Sequence, residues 1–218
     1  KLGHVPEVSV EEFVEGQDCT FDTVCAGGQV LYHNICFYRP RALESRNHEW
    51  VSPQTIAVRE PEAPYWANGF RMGFEVLKAL NFKTGFTHME WYRKPDGEAV
   101  FGEIGGRAPG ARTVDVMNFA NDIDLFKGWA EAAVHGRLTQ PITRKYNAAN
   151  VMKRAAGHGR ILRHEGLDRL IHELGPAIAA IELNPVGQPK RSMMTSVVGD
   201  GFVMVRHHDL QELLRIAD

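Results

Sequence analysis

The stretch His88-Met89-Glu90-Trp91-Tyr92-Arg93-Lys94-Pro95-Asp96-Gly97-Glu98-Ala99-Val100-Phe101-Gly102-Glu103-Ile104-Gly105-Gly106-Arg107-Ala108-Pro109-Gly110 decides the fold. Residues 86–92 and 99–104 are strand-like runs, and Lys94-Pro95-Asp96-Gly97 between them has turn chemistry. The pattern predicts a β-hairpin with a loop slightly longer than the tightest type. Glu90 on the first strand and Glu103 on the second then come almost opposite, with side chains within roughly 5 Å on one face. Two carboxylates so placed repel unless a cation sits between them. A hard divalent ion such as Mg2+ takes oxygen ligands and keeps room for substrate phosphates. Arg107 follows in a Gly-Gly-Arg-Ala-Pro-Gly loop with little bulk to block an anion, which a guanidinium grips through two hydrogen bonds. On spacing alone, the competing reading is two solvent-side acids on a half-exposed hairpin.

The chain has 218 residues, enough for one large domain or two small lobes with a full core. Its 25 Lys and Arg against 27 Asp and Glu give a net charge of −2, so it lacks the basic footprint of a nucleic-acid binder. No signal peptide and no apolar run of membrane-spanning length is present, so no membrane partner is expected. Cys19, Cys25 and Cys36 form no CxxC pair, and two lie in apolar runs. They predict buried thiols in a reducing compartment, the cytoplasm. The ten histidines lack the usual spacing of zinc ligands, His207-His208 and His158/His164 included.

Residues 8–14 read as a strand ending in a turn at Glu15-Gly16. Residues 17–38 read as a hairpin turned by Gly27-Gly28. Residues 39–50 carry Arg39, Arg41, Arg46 and His48; they form either a solvated loop or a mobile flap over a phosphate or substrate. A short strand spans 55–58. An amphipathic helix spans 62–80, with Pro64 in its first turn and Phe70, Phe74 and Leu77 on the buried face, extended by Trp66 and Leu80. Helices follow at 111–121 and 122–135; Asp122 or Asp124 caps the second, and Gly136 lies past its end. Strands are expected at 148–156, 159–163 and 177–183, a helix at 166–174, two strands within 192–206 and a closing helix at 209–217. A boundary near Pro141 divides a site-bearing part, 1–140, from a smaller α+β lobe, 141–218.

Glu11-Glu12-Phe13-Val14-Glu15-Gly16-Gln17-Asp18 resembles the interdomain hinge of the ATP-grasp enzymes: an acid, a hydrophobic pair, then Gly and another acid. The resemblance continues through the Gly27-Gly28 hairpin, the helix and the Glu90/Glu103 hairpin to Gly136, with order and spacing intact. It implies an α+β fold: the C-terminal subdomain of an ATP-grasp enzyme, a largely antiparallel sheet flanked by helices. It further implies ATP and Mg2+, or Mn2+, as cofactors. An extended hinge at Glu12, Phe13 and Val14 offers backbone groups to adenine. By resemblance Glu11 faces the adenine amino group, Asp18 the ribose, and Glu90 and Glu103 the metal. His33 lies where related chains contact substrate or phosphate; the alternative is a plain strand histidine.

Thr87-His88-Met89-Glu90 and Glu103-Ile104-Gly105-Gly106-Arg107 are similar to the L-amino acid ligase and carnosine synthase branch, which joins a carboxylate to an amine through an acyl phosphate. Arg107 is then the catalytic residue, acting on the transferring phosphoryl group or the acyl phosphate. Gly105 stands where many superfamily members carry an Asn metal ligand, so the number of metal ions stays open. The phosphate-binding lysines and Gly-rich flap of the N-terminal lobes are not found before Glu11, and the chain starts at Lys1. The resemblance therefore implies a C-terminal half, completed by a missing N-terminal half or by a second copy. Competing expectations are a biotin-carboxylase-like activity and a non-catalytic nucleotide-binding or assembly fragment.

Overall fold

The computed structural model describes residues 8–192 and 196–218. Its centre is one eight-stranded sheet in which each pair of neighbouring strands runs antiparallel. The strands are β1 (Gln17–Ala26), β2 (Gln29–Arg39), β3 (Gln54–Ala57), β4 (Gly85–Arg93), β5 (Ala99–Gly105), β6 (Asn147–Met152), β7 (Ile178–Leu183) and β8 (Gly201–His207). The helices are α1 (Ala42–Asn47), α2 (Ala67–Ala79), α3 (Thr113–Asn121), α4 (Leu125–His135), α5 (Leu167–Leu174) and α6 (Leu210–Ala217). The strands run across the sheet in the order β5-β4-β1-β2-β3-β6-β8-β7.

Strand alternation splits the side chains between two faces. Cys19, Phe21, Ile35, Phe37, Met89 and Trp91 point to one face, where α2 and α6 bury them. Val24, Tyr32, Cys36, Ala57 and Phe86 point to the other, under α3 and α4. The α3/α4 cover reaches only one end of that second face. Its other end carries Asp18, Thr20, His88, Glu90 and Glu103, by the registers of β1 with β4 and of β4 with β5.

The hairpins and helices stand close to where periodicity puts them. Gly27 and Gly28 turn the first hairpin at φ 58° and 84°, a region open to glycine. Asp124 caps α4 through the Lys127 amide, and Gly136 ends it at φ 67°. The helix expected over 62–80 begins as a 3₁₀ turn, Pro64–Trp66, before α2, and Leu80 lies past its end with its side chain exposed.

Four expectations are corrected. Residues 8–14 form no strand: this stretch has no ladder partner among the described residues, and Val8, Val10 and Phe13 are exposed. Residues 39–50 are not a plain loop, since α1 lies within them. Residues 159–163 make only a single bridge, Arg160 to Pro189. Within 192–206 one strand forms, β8, and residues 197–200 are turn; residues 193–195 of that expectation lie outside the described ones. The boundary near Pro141 is no break in the sheet, because β6 pairs with β3 and carries β8 and β7 outward.

Candidate active site

Glu90 of β4 and Glu103 of β5 are direct cross-strand partners, as the spacing predicts. The register shifts between Glu90 and Trp91, so Gly102 is the extra residue that keeps both acids on one face. A Cβ at Gly102 would stand 2.9 Å from the Glu90 carbonyl oxygen, too close for any other residue to fit without movement. Glu90 is half exposed, and Glu103 and Arg107 are exposed. The Arg107 guanidinium donates to the Ala108 carbonyl at 3.1 Å.

Behind Glu90 runs a buried polar chain. The Thr20 hydroxyl donates to Asp22 Oδ2 at 2.6 Å. His88 Nδ1 stands 2.6 Å from Asp22 Oδ1, and His88 Nε2 3.4 Å from Glu90 Oε1. Asp22 is 0% exposed and His88 4%. Burial opposes charge on His88, but Asp22 and Glu90 outweigh it and raise the imidazole to about 9. Glu90 is held below the usual carboxylate range, first by the hydrogen bond from His88 against the opposing cost of burial, then by the fields of His88, Arg107 and Arg46. Burial pushes Tyr38 upward, with the charges of Asp22, Glu90 and Asp18 adding to it, so its phenol is neutral.

Asp18 shares this face, yet it is only 9% exposed and both its oxygens are engaged. The Ala42 amide donates to Oδ2 at 2.6 Å and Arg41 Nε to Oδ1 at 3.2 Å. Arg41 also donates to the Val14 carbonyl and lies 5.3 Å from the Phe13 ring, which ties the 8–14 stretch to the entry of α1. Arg154 holds the other end of that segment through the carbonyls of Ser45, His48 and Val51. Glu11 and Glu12 are exposed, and Glu11 Oε1 accepts from the Ser9 hydroxyl.

His33 is not brought to this site. It pairs with Thr23 in register, so it points to the opposite face, where its ring stacks on Phe21 and meets Phe70 and Phe74 edge-on. Sequence reasoning also left out Asp22. The signal was there: an acid one residue from Phe21 and two from Val24, in the middle of a strand, needs a polar partner if it is buried.

No protein-family model matches the chain, and no curated protein matches it by sequence. Solved structures do match. The L-amino acid ligase of Bacillus licheniformis superimposes with a TM-score of 0.73 at 16% identity, over 94% of this chain and 52% of that one. The fold is that of the ATP-grasp ligases. A second ATP-grasp structure, phosphoribosylglycinamide synthetase of Anaerococcus prevotii, gives 0.66 at 13% identity over 94% and 51%. A third, carboxyaminoimidazole ribonucleotide synthase of Aspergillus clavatus complexed with ATP, gives 0.56 at 12% over 94% and 49%. The chain thus spans about half the length of these ATP-grasp structures. No described helix is long and apolar enough to cross a membrane, and Cys19, Cys25 and Cys36 are free and buried.

Proposed function

We propose that this chain is the metal-bearing part of an ATP-dependent carboxylate–amine ligase that works through an acyl phosphate on amino acid or other small carboxylate substrates. The observation that carries the reading is the cross-strand Glu90/Glu103 pair followed at once by Arg107, on a fold shared with an L-amino acid ligase.

The paired acids fit a hard divalent cation, Mg2+ or Mn2+. They are direct cross-strand partners on one face of the sheet, with Glu90 half exposed and Glu103 exposed. No group of three or more His, Cys, Asp or Glu suited to a metal exists among the described residues. Mg2+ in nucleotide sites takes one or two carboxylates from protein and the rest of its oxygens from nucleotide phosphates and water. When bound, such an ion offsets charge on the phosphates and on the transferring phosphoryl group.

In the first step, an oxygen of the substrate carboxylate attacks the γ-phosphorus. The bond to ADP breaks and an acyl phosphate forms. An amine then attacks the acyl carbon, loses its proton and displaces phosphate. The residues of this chain align and neutralise. Arg107 grips the phosphoryl group or the acyl phosphate through its guanidinium. Glu90 and Glu103 hold the cation. Glu11 and the 12–14 backbone face adenine, and Asp18 would take the ribose once α1 releases one of its oxygens.

The test is phosphate release by the full-length protein, with Mg2+ and ATP, screened with amino acids and with bicarbonate. Amino-acid-dependent release is expected, and Glu103→Gln should lower it by at least about 100-fold while the melting temperature stays near that of the parent. Near-normal turnover in Glu103→Gln would sink the metal assignment. Release driven by bicarbonate alone would move the substrate class, and none at all would point to a non-catalytic module.

A further inference from the structure

Behind the acid pair, and ending on Glu90, lie three side chains that the proposed reaction does not use: Thr20, Asp22 and His88. Thr20 and Asp22 stand on β1, and His88 and Glu90 on β4; the two strands are neighbours, with Thr20 opposite Glu90 and Asp22 opposite His88. Each member faces the next: hydroxyl to Asp22 Oδ2 at 2.6 Å, Asp22 Oδ1 to Nδ1 at 2.6 Å, Nε2 to Glu90 Oε1 at 3.4 Å. Asp22 is fully buried and locked from both sides. The ring position is therefore fixed by the sheet, not by solvent.

We infer that Asp22 and His88 are positioning residues that set the Glu90 carboxylate for its cation, an inference that rests on the reading of Glu90 and Glu103 as the metal pair. His88 engages Oε1 of Glu90. A contact on one oxygen restricts the turning of the carboxylate and leaves the other oxygen for the cation. Neither Asp22 nor His88 needs to touch the metal. The arrangement works as outer partners of metal ligands do, where losing one costs 10–100-fold in metal affinity.

A buried charge that loses its partner destabilises the fold. The informative variant therefore removes both partners of the buried pair together, Asp22→Asn with His88→Leu, made in the full-length protein. The readout is ADP affinity by titration calorimetry, with Mg2+ and with EDTA. The quantity compared is the gain that Mg2+ brings. In the double variant this gain should fall by about 10–100-fold while metal-free ADP binding is unchanged. A role limited to holding the fold would shift both affinities or neither. Glu90→Gln serves as the reference. If Glu90→Gln loses the Mg2+ gain and the double variant keeps it, the positioning role is overturned and the metal reading stands. If Glu90→Gln keeps the gain, the metal reading falls and this inference with it.

Discussion

His33 shows how one residue's surroundings become a property of the whole protein. Burial and the nearby Arg144 charge push its imidazole down to about 4, and Glu62 at 3.1 Å only partly offsets them. In the unfolded chain it takes its proton near 6.5. Between those values the unfolded state binds the proton and the folded state does not. Stability is therefore fully present above pH 6.5 and falls as pH drops toward 4, by on the order of 2–3 kcal/mol from this residue. Other acids titrate in the same range, so the check is the difference between parent and His33→Phe in urea midpoints from pH 4 to 7. Phe fits among the Phe21, Phe70 and Phe74 rings, and the slope should flatten. Equal slopes would mean that His33 carries no such load.

The same residue marks a limit of sequence reading. Being on a strand was legible for His33; the face was not. Face depends on register against β1, which the Gly27-Gly28 turn and the shift between Val24 and Cys25 set together. Glu90 and Glu103 were legible because their hairpin turn lies between them, so a short-range pattern fixed a short-range pairing. Asp22 and His88 meet across strands far apart in sequence, and no local pattern reports that.

At the scale of elements, α2 backs the site hairpin. Its Gly69 packs on the Trp91 ring and Gly73 on the Phe21 ring; a Cβ would stand 2.1 Å and 2.4 Å from them. In an open helix, Gly to Ala gains about 1 kcal/mol. Overpacking a tight contact costs about 1–3 kcal/mol. The clash at Gly69 is with a large ring that is 1% exposed and has nowhere to swing. Gly69→Ala should therefore destabilise, by about 1–2 kcal/mol net, read as a lower denaturant midpoint with an unchanged slope. A more stable variant would show that the ring moves aside. The apolar stripe of α2 and the caps of α4 were visible from spacing. The six-residue α1 was not, because it has no apolar stripe and forms where Asp18 and Arg154 hold it.

At the scale of the molecule, one sheet runs through both parts of the chain. Composition hints at a boundary near Pro141, yet β3 on one side pairs with β6 on the other. The clusters on both faces draw residues from before and after that point: Phe21 with Val203, Cys36 with Met204. Unfolding should then be one cooperative event, with far- and near-ultraviolet circular dichroism tracing the same curve. Two separated transitions would mean that residues 1–140 and 141–218 fold independently.

The stitching of the 39–50 segment carries a practical lesson. Asp18, from the first strand, fastens its entry, and Arg154, just past the sixth, gathers three carbonyls at its exit. A protein engineer who transplanted residues 39–50 alone into a relative would move the patch of cloth without its seams. The portable unit is the segment together with both fastenings, and two positions distant in sequence would have to travel with it.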